Sequence, residues 1–265
     1  MQFTISGREK AFDLQESVAS YLKRVYTHVP LKQIESIFAF TERSTLYGGR
    51  PFVSPQLLSK DIQSMYDLGI GYRIPLTNNF VTREEYEMNL CFLEKYHRAG
   101  NSVILVNDDL AKWIREDFPK YKIEASIIKC IDTYRRIDKA FAIYDTVVLP
   151  TSLNEDISFL ENIECKKRIT LFAFAGCGVN CPSKVCYPSI SKFNKYNGHL
   201  QIDCSRTTKS REIRNRVRFD VNHYSEMGFD RFKMIEPLAG VRRKPVQRKI
   251  PPRQDQYKPQ FKAVD

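Results

Sequence analysis

The stretch "SVILVNDDLAKWIREDFPKYKIEAS" (102–126) decides the fold. Two short apolar runs, SVILVN (102–107) and KIEAS (122–126), flank a helical pattern, DDLAKWIREDF (108–118), that opens on acidic residues suited to a helix start. A strand, a helix and a strand in that order specify a parallel pair with a crossover helix. The same rhythm extends in both directions. Further strands are expected at QFTIS (2–6), ESIFAF (35–40), IGYRIPL (70–76), TVVLP (146–150), RITLFAF (168–174) and RFKMIE (231–236). Several are apolar throughout, as in a parallel sheet covered on both faces.

Helical patterns separate them. LQESVASYLKRVY (14–26) repeats apolar residues at three- and four-residue spacing. TREEYEMNLCFLEKYHRAG (82–100) opens with Thr82 and Glu85 in capping-box register and closes on Gly100. NEDISFLENI (154–163) starts with residues suited to a helix N-terminus. Eight strands alternating with helices predict a (β/α)8 barrel, with a doubly wound open sheet as the alternative. A chain of 265 residues, 42% hydrophobic, is long enough for one such core.

One interval breaks the rhythm. Residues 175–230, 56 in all, separate the seventh strand from the eighth and form an enlarged insert at the barrel edge where active sites occur. The domain reading is a barrel over 1–240 and a basic, Pro-rich, extended tail over 241–265.

Charge is unevenly spread. The tail carries eight Lys or Arg against two Asp, and RTTKSREIRNRVR (206–218) carries six against one Glu, which together account for the net charge of +11. Such runs attract polyanions through counterion release, so nucleic acid is the expected partner of Arg206–Arg218, with Arg214, Arg216 and Arg218 as contacts, and of the tail. A solvated, solubilising face is the competing reading. No apolar stretch approaches a membrane span, and no secretory signal opens the chain, so a cytoplasmic location is expected. Thiols normally stay reduced there, which disfavours disulfides.

Four of the seven cysteines, Cys177, Cys181, Cys186 and Cys204, fall in the insert, separated by three, four and seventeen residues. Four thiolates close either a tetrahedral zinc site or a [4Fe–4S] cluster. The tight pairs of structural zinc sites are missing, and the wider spacings suit a cubane. Gly176 and Gly178 let the backbone approach a ligand closely. Cys91, Cys130 and Cys165 are expected to be structural.

Polar residues at strand ends, Asn78, Asn79, Asn107, Ser126, Ser152 and Asn154, are expected to line one cavity at the barrel mouth. Asn78, Asn107, Ser126 and Asn154 are the catalytic candidates, although such residues also cap helices and turns. Arg50, in GGRP, suits a carboxylate or phosphate, and a small aromatic or carboxylate ligand fits this set. Tyr47, Tyr187 and Tyr196 are candidates for stacking on a base. No serine-hydrolase elbow, zincin helix or phosphate loop is present.

With these residues in hand, the sequence resembles the collagenase-like peptidase family (peptidase family U, number thirty-two). The resemblance runs over residues 35–236: YGGRP (47–51), Asn78 or Asn79, VND (106–108), Ser126 and Asp132, LPTSLNED (149–156), FAGCGVNCP (174–182) and YSEMGFDRFKMIEP (224–237). It implies an α/β barrel and, in several members, a [4Fe–4S] cluster on four cysteines. Those members take part in oxygen-independent hydroxylation of RNA bases or the ubiquinone ring, the RNA-modifying ones with prephenate as oxygen source. Other members carry a protease label. The motif carries Cys177 and Cys181 over as cluster ligands; Cys186 and Cys204 follow by proximity. FKMIEP replaces the family's Lys-Ile-Glu-Gly-Arg ending, and the usual C-terminal domains are replaced by a short basic tail. The expected function is hydroxylation of a nucleic-acid base or related ring, with a peptidase or a non-catalytic metal-stabilised binder as alternatives.

Overall fold

The structure is a computed structural model and describes residues 1–175, 185–204, 217–235 and 246–247. Eight parallel strands close into a barrel: β1 (Gln2–Ser6), β2 (Ile34–Phe38), β3 (Gly71–Leu76), β4 (Ser102–Leu105), β5 (Lys122–Ala125), β6 (Thr146–Val148), β7 (Ile169–Ala175) and, as the eighth barrel strand, β9 (Arg231–Met234). Closure comes from β9, which pairs in parallel with both β7 and β1. An open doubly wound sheet leaves two free edges, so closure rejects that alternative.

Every expected barrel strand is present, within two residues of its expected start. Helices α1 (Val18–Val25), α2 (Ser59–Asp67), α3 (Arg83–Met88), α4 (Leu90–Lys95), α5 (Asp108–Asp117), α6 (Tyr134–Phe141) and α7 (Ile157–Glu161) fill the crossovers. The capping box at α3 is as expected: Thr82 Oγ1 accepts from the Glu85 amide, and Glu85 Oε2 accepts from the Thr82 amide. The single helix expected over 82–100 is instead two. The chain turns at Asn89, whose amide side chain donates to Glu85 O and Thr45 Oγ1 and accepts from Ser44 Oγ. A side chain that takes a backbone carbonyl and ties down a second loop competes with helix continuation.

The core lies between barrel and helices, where Ile5, Ile37, Tyr72, Val103, Ile123, Val147 and Leu171 are buried from alternate strand positions. At about 1.5–3 kcal/mol for each fully buried large side chain, this layer dominates the driving force for the fold.

Beyond β7 the described part of the insert contains α8 (Cys186–Lys195) and β8 (Val217–Arg218). Strand β8 pairs antiparallel with the end of β7, so the last two residues of the basic run 206–218 are part of the sheet. In the segment read as an extended tail, β10 (Val246–Gln247) pairs with β8, and the rest of 241–265 lies outside the described residues. Cys91 and Cys165 are exposed, which corrects the expectation that they pack structurally. Cys130 is half-buried at a left-handed position, φ 51°.

Candidate functional site at the barrel mouth

The barrel interior is charged. Register places Arg73 beside Ser102, Glu124 beside Thr146, and Thr170 beside Arg231. Side-chain bonds confirm that these residues share the inner face. Arg73, 2% exposed, donates to Ser102 Oγ at 2.9 Å, to Glu124 Oε1 and to Glu35 Oε2 at 3.1 Å. Glu124, 1% exposed, takes hydroxyl donors from Thr146 and Thr170 on its other oxygen. Arg231 donates to both Glu35 oxygens and to Gln2 Oε1. Both carboxylates are therefore engaged by arginines. Burial alone would push the Glu124 carboxyl up, but the charges of Arg73, Lys233 and Arg231 and the Thr170 hydroxyl hold it down at about 2. It stays ionised at neutral pH.

Above this layer stand two further cations. Lys233, 5% exposed on β9, lies with its ammonium 4.7 Å from the Phe38 ring centroid and has no hydrogen bond or ion pair among the described residues. Burial lowers its pKa to about 8; Glu124 opposes that shift, while Arg73 and Arg50 reinforce it. Arg50 lies over the same Phe38 ring at 5.5 Å and over Phe40 at 5.0 Å. Its Nη2 donates to Gln56 Oε1, and its Nη1 is buried with no partner among the described residues. Burial, with the charge of Arg8 nearby, pulls this guanidinium down to about 10. Phe38 is the last residue of β2 and Arg50 follows it in the next loop, so this pair occupies the upper half of the barrel, where barrel enzymes hold ligands.

The Arg50 loop is held from two sides. Gly48 packs so closely on the end of β3 that a Cβ would sit 2.0 Å from Thr77 O, which only glycine avoids. Helix α8 clamps the same loop: Asn194 donates to Tyr47 O and Arg50 O and accepts from the Phe52 amide. Asn78 Nδ2 donates to Thr45 O, Tyr47 O and Ser191 O, so a β3 strand end, the Arg50 loop and the insert helix meet at one amide.

The other catalytic candidates are mostly occupied. Asn107 caps α5 through the Leu110 amide, and Ser126 caps a short turn through the Ile128 amide. Asn154 differs. It is fully buried, its Nδ2 donates to Phe172 O, and its Oδ1 has no partner among the described residues. Tyr47 is buried among Phe40, Phe52 and Phe92, so it is not available to stack on a base; Tyr196 is exposed.

Of the four insert cysteines, Cys177 and Cys181 lie outside the described residues, as do Arg214 and Arg216. Cys186 opens α8 and is half-buried, as is Cys204. Ser189, one helical turn after Cys186, donates to Gln201 O at 3.2 Å and accepts from the Asp203 amide at 2.8 Å. That folds the Cys204 segment back onto the first turn of α8, and it is the fit the described residues offer to a shared ligand. Among them, no group of three His, Cys, Asp or Glu side chains is arranged around a metal ion. Arg218 packs over Phe174 at 5.0 Å and lies 2.7 Å from His28 Nε2. Burial and the Arg218 charge both lower the pKa of His28.

Sequence reasoning passed over Arg73, Glu124, Arg231 and Lys233. The available signal was charge set within an otherwise apolar strand, as in GYRIPL, KIEAS and RFKM.

No family model matches the chain, and no curated protein matches it. Among solved structures, that of the U32 peptidase Mk0906 is similar, with a TM-score of 0.59 at 12% identity over 89% of this chain and 92% of that one. The two proteins share a fold. No helix among the described residues is long and apolar enough to cross a membrane.

Proposed function

We propose that this chain is an iron–sulfur enzyme of the collagenase-like peptidase family that hydroxylates a nucleic-acid base or a related aromatic ring without molecular oxygen. The observation that carries this reading is the clamp between α8 and the Arg50 loop. Cys186 begins the helix whose Ser191 and Asn194 seat that loop, and the Cys204 segment is pinned to the same helix. A centre held by Cys177, Cys181, Cys186 and Cys204 would thus stand beside the barrel mouth. A [4Fe–4S] cluster there would supply one-electron chemistry. The fold shared with a U32 peptidase agrees with the family.

The chain's own residues would bind and orient. Arg50 and Lys233 attract an anionic group into the mouth, and the unpartnered Asn154 Oδ1 accepts from a ring N–H or amino group. The basic run ending at Arg218 and the 241–265 tail would hold a polyanion by its phosphates.

The test is mass spectrometry of nucleosides from cells lacking the gene, restored with the wild-type chain or with Cys186→Ser. The reading expects a hydroxylated nucleoside that disappears with the gene and returns only with the wild-type chain. An unchanged nucleoside profile overturns base modification. Proteolytic activity that survives Cys186→Ser would favour the peptidase alternative.

A further inference from the structure

Among the described residues the barrel interior holds more positive than negative charge. The half-buried Arg50 and the buried Arg73, Arg231 and Lys233 face Glu35 and Glu124 there, and both carboxylates are already engaged by Arg73 and Arg231. Two cations remain, Arg50 and Lys233, and neither has a carboxylate partner among the described residues. A buried charge without a counterion is costly, and the Phe38 ring recovers only part of that cost. Arg50 adds a second sign of an unmet requirement, since its Nη1 is sealed from solvent and has no hydrogen-bond partner among the described residues.

From this arrangement we propose that the upper barrel binds the phosphate monoester of a small ligand between Arg50 and Lys233. Both cations border one ring, at 5.5 and 4.7 Å from the Phe38 centroid, and the Arg50 charge is felt at Lys233, which places them for one compact anionic group at the mouth. At neutral pH a phosphate monoester carries nearly two negative charges on a single centre. A monocarboxylate would leave one cation uncompensated, and a dicarboxylate divides its charge between two ends. The residue types also fit: a guanidinium fork with a free Nη and an ammonium point charge are the usual partners of phosphate oxygens. Positioning comes from the α8 clamp, because Asn194 and Asn78 fix the backbone on both sides of Arg50.

The site does not depend on the metal centre. If the proposed function is right, it narrows the substrate to a phosphorylated small molecule or a terminal nucleotide. The test is calorimetric titration of the full chain with inorganic phosphate, and separately with succinate, at pH 7. Wild type should bind phosphate more tightly than succinate. Lys233→Met and Arg50→Gln should each weaken phosphate binding about 30-fold or more, as expected when one member of a desolvated charge pair is removed. Iron content measured on Lys233→Met and Arg50→Gln should match that of wild type, which separates failure of this site from failure of the metal reading. Circular dichroism of each variant establishes that it is folded. No phosphate binding to wild type, binding to both charge variants within about twofold of wild type, or tighter binding of succinate would overturn the proposal.

Discussion

Replacing Lys233 by Met should make the ligand-free protein more stable. An exposed lysine titrates near 10.5, whereas burial holds Lys233 at about 8, despite the pull of Glu124. At about 1.4 kcal/mol per pH unit, its ammonium costs the folded state about 3 kcal/mol at pH 7. The folded pKa lies below the unfolded one, so between about pH 8 and 10.5 the unfolded chain binds more protons than the folded chain. The penalty is therefore present in full below pH 8 and is relieved as pH rises through that window. Met keeps the linear shape and contact with Phe38 without the charge. For a chain of this length about 2 °C accompanies each kcal/mol, so Lys233→Met should raise Tm by about 5 °C at pH 7. The gain should shrink towards pH 10. Calorimetry or thermal denaturation followed by circular dichroism, in phosphate-free buffer, measures both. A fall in Tm at pH 7 would show that Lys233 is a paired structural residue and would refute the reasoning.

Arg73→Met should do the opposite. It strands Glu124 inside the barrel, while Glu35 keeps Arg231, and should lose about 3–5 kcal/mol in urea denaturation. Gly48→Ala forces a Cβ against the Thr77 carbonyl, at 2.0 Å before relaxation. It should therefore displace the Arg50 loop and weaken phosphate binding, while an alanine at Gly100, where a Cβ meets no atom but φ is 91°, should lower stability and leave binding unchanged. Phosphate affinity should peak between about pH 6, where the monoester takes up its second proton, and about pH 8. Above that Lys233 loses its proton, through burial first and then the charges of Arg73 and Arg50, with Glu124 opposing. Titration calorimetry across that range checks it; affinity that is flat up to pH 10 counts against Lys233.

Strand positions were readable because each barrel strand is an apolar run whose outward residues enter the core, and such runs keep their period through modest burial differences. Helices α2 and α6 were not. SKDIQSMYD and YRRIDKAF bury only two or three side chains each, too few to stand out from a charged background. At the site, Arg50 drew notice from its GGRP setting, and it lies in the loop that follows β2. The charged interior was not readable, since each charge read alone merely interrupts an apolar strand, and the Arg73–Glu124 ion pair joins residues 51 apart. Asn107 and Ser126 lie where expected, but local amides occupy them, which sequence alone does not distinguish from a cavity lining.

The central claim is that Cys177, Cys181, Cys186 and Cys204 hold one iron–sulfur centre beside the barrel mouth. Iron, acid-labile sulfide and zinc measured on anaerobically purified chain test it most directly. The account predicts about four irons and four sulfides per chain, lost in both Cys186→Ser and Cys204→Ser while the barrel stays folded. One zinc per chain, or an iron content untouched by either substitution, would contradict it.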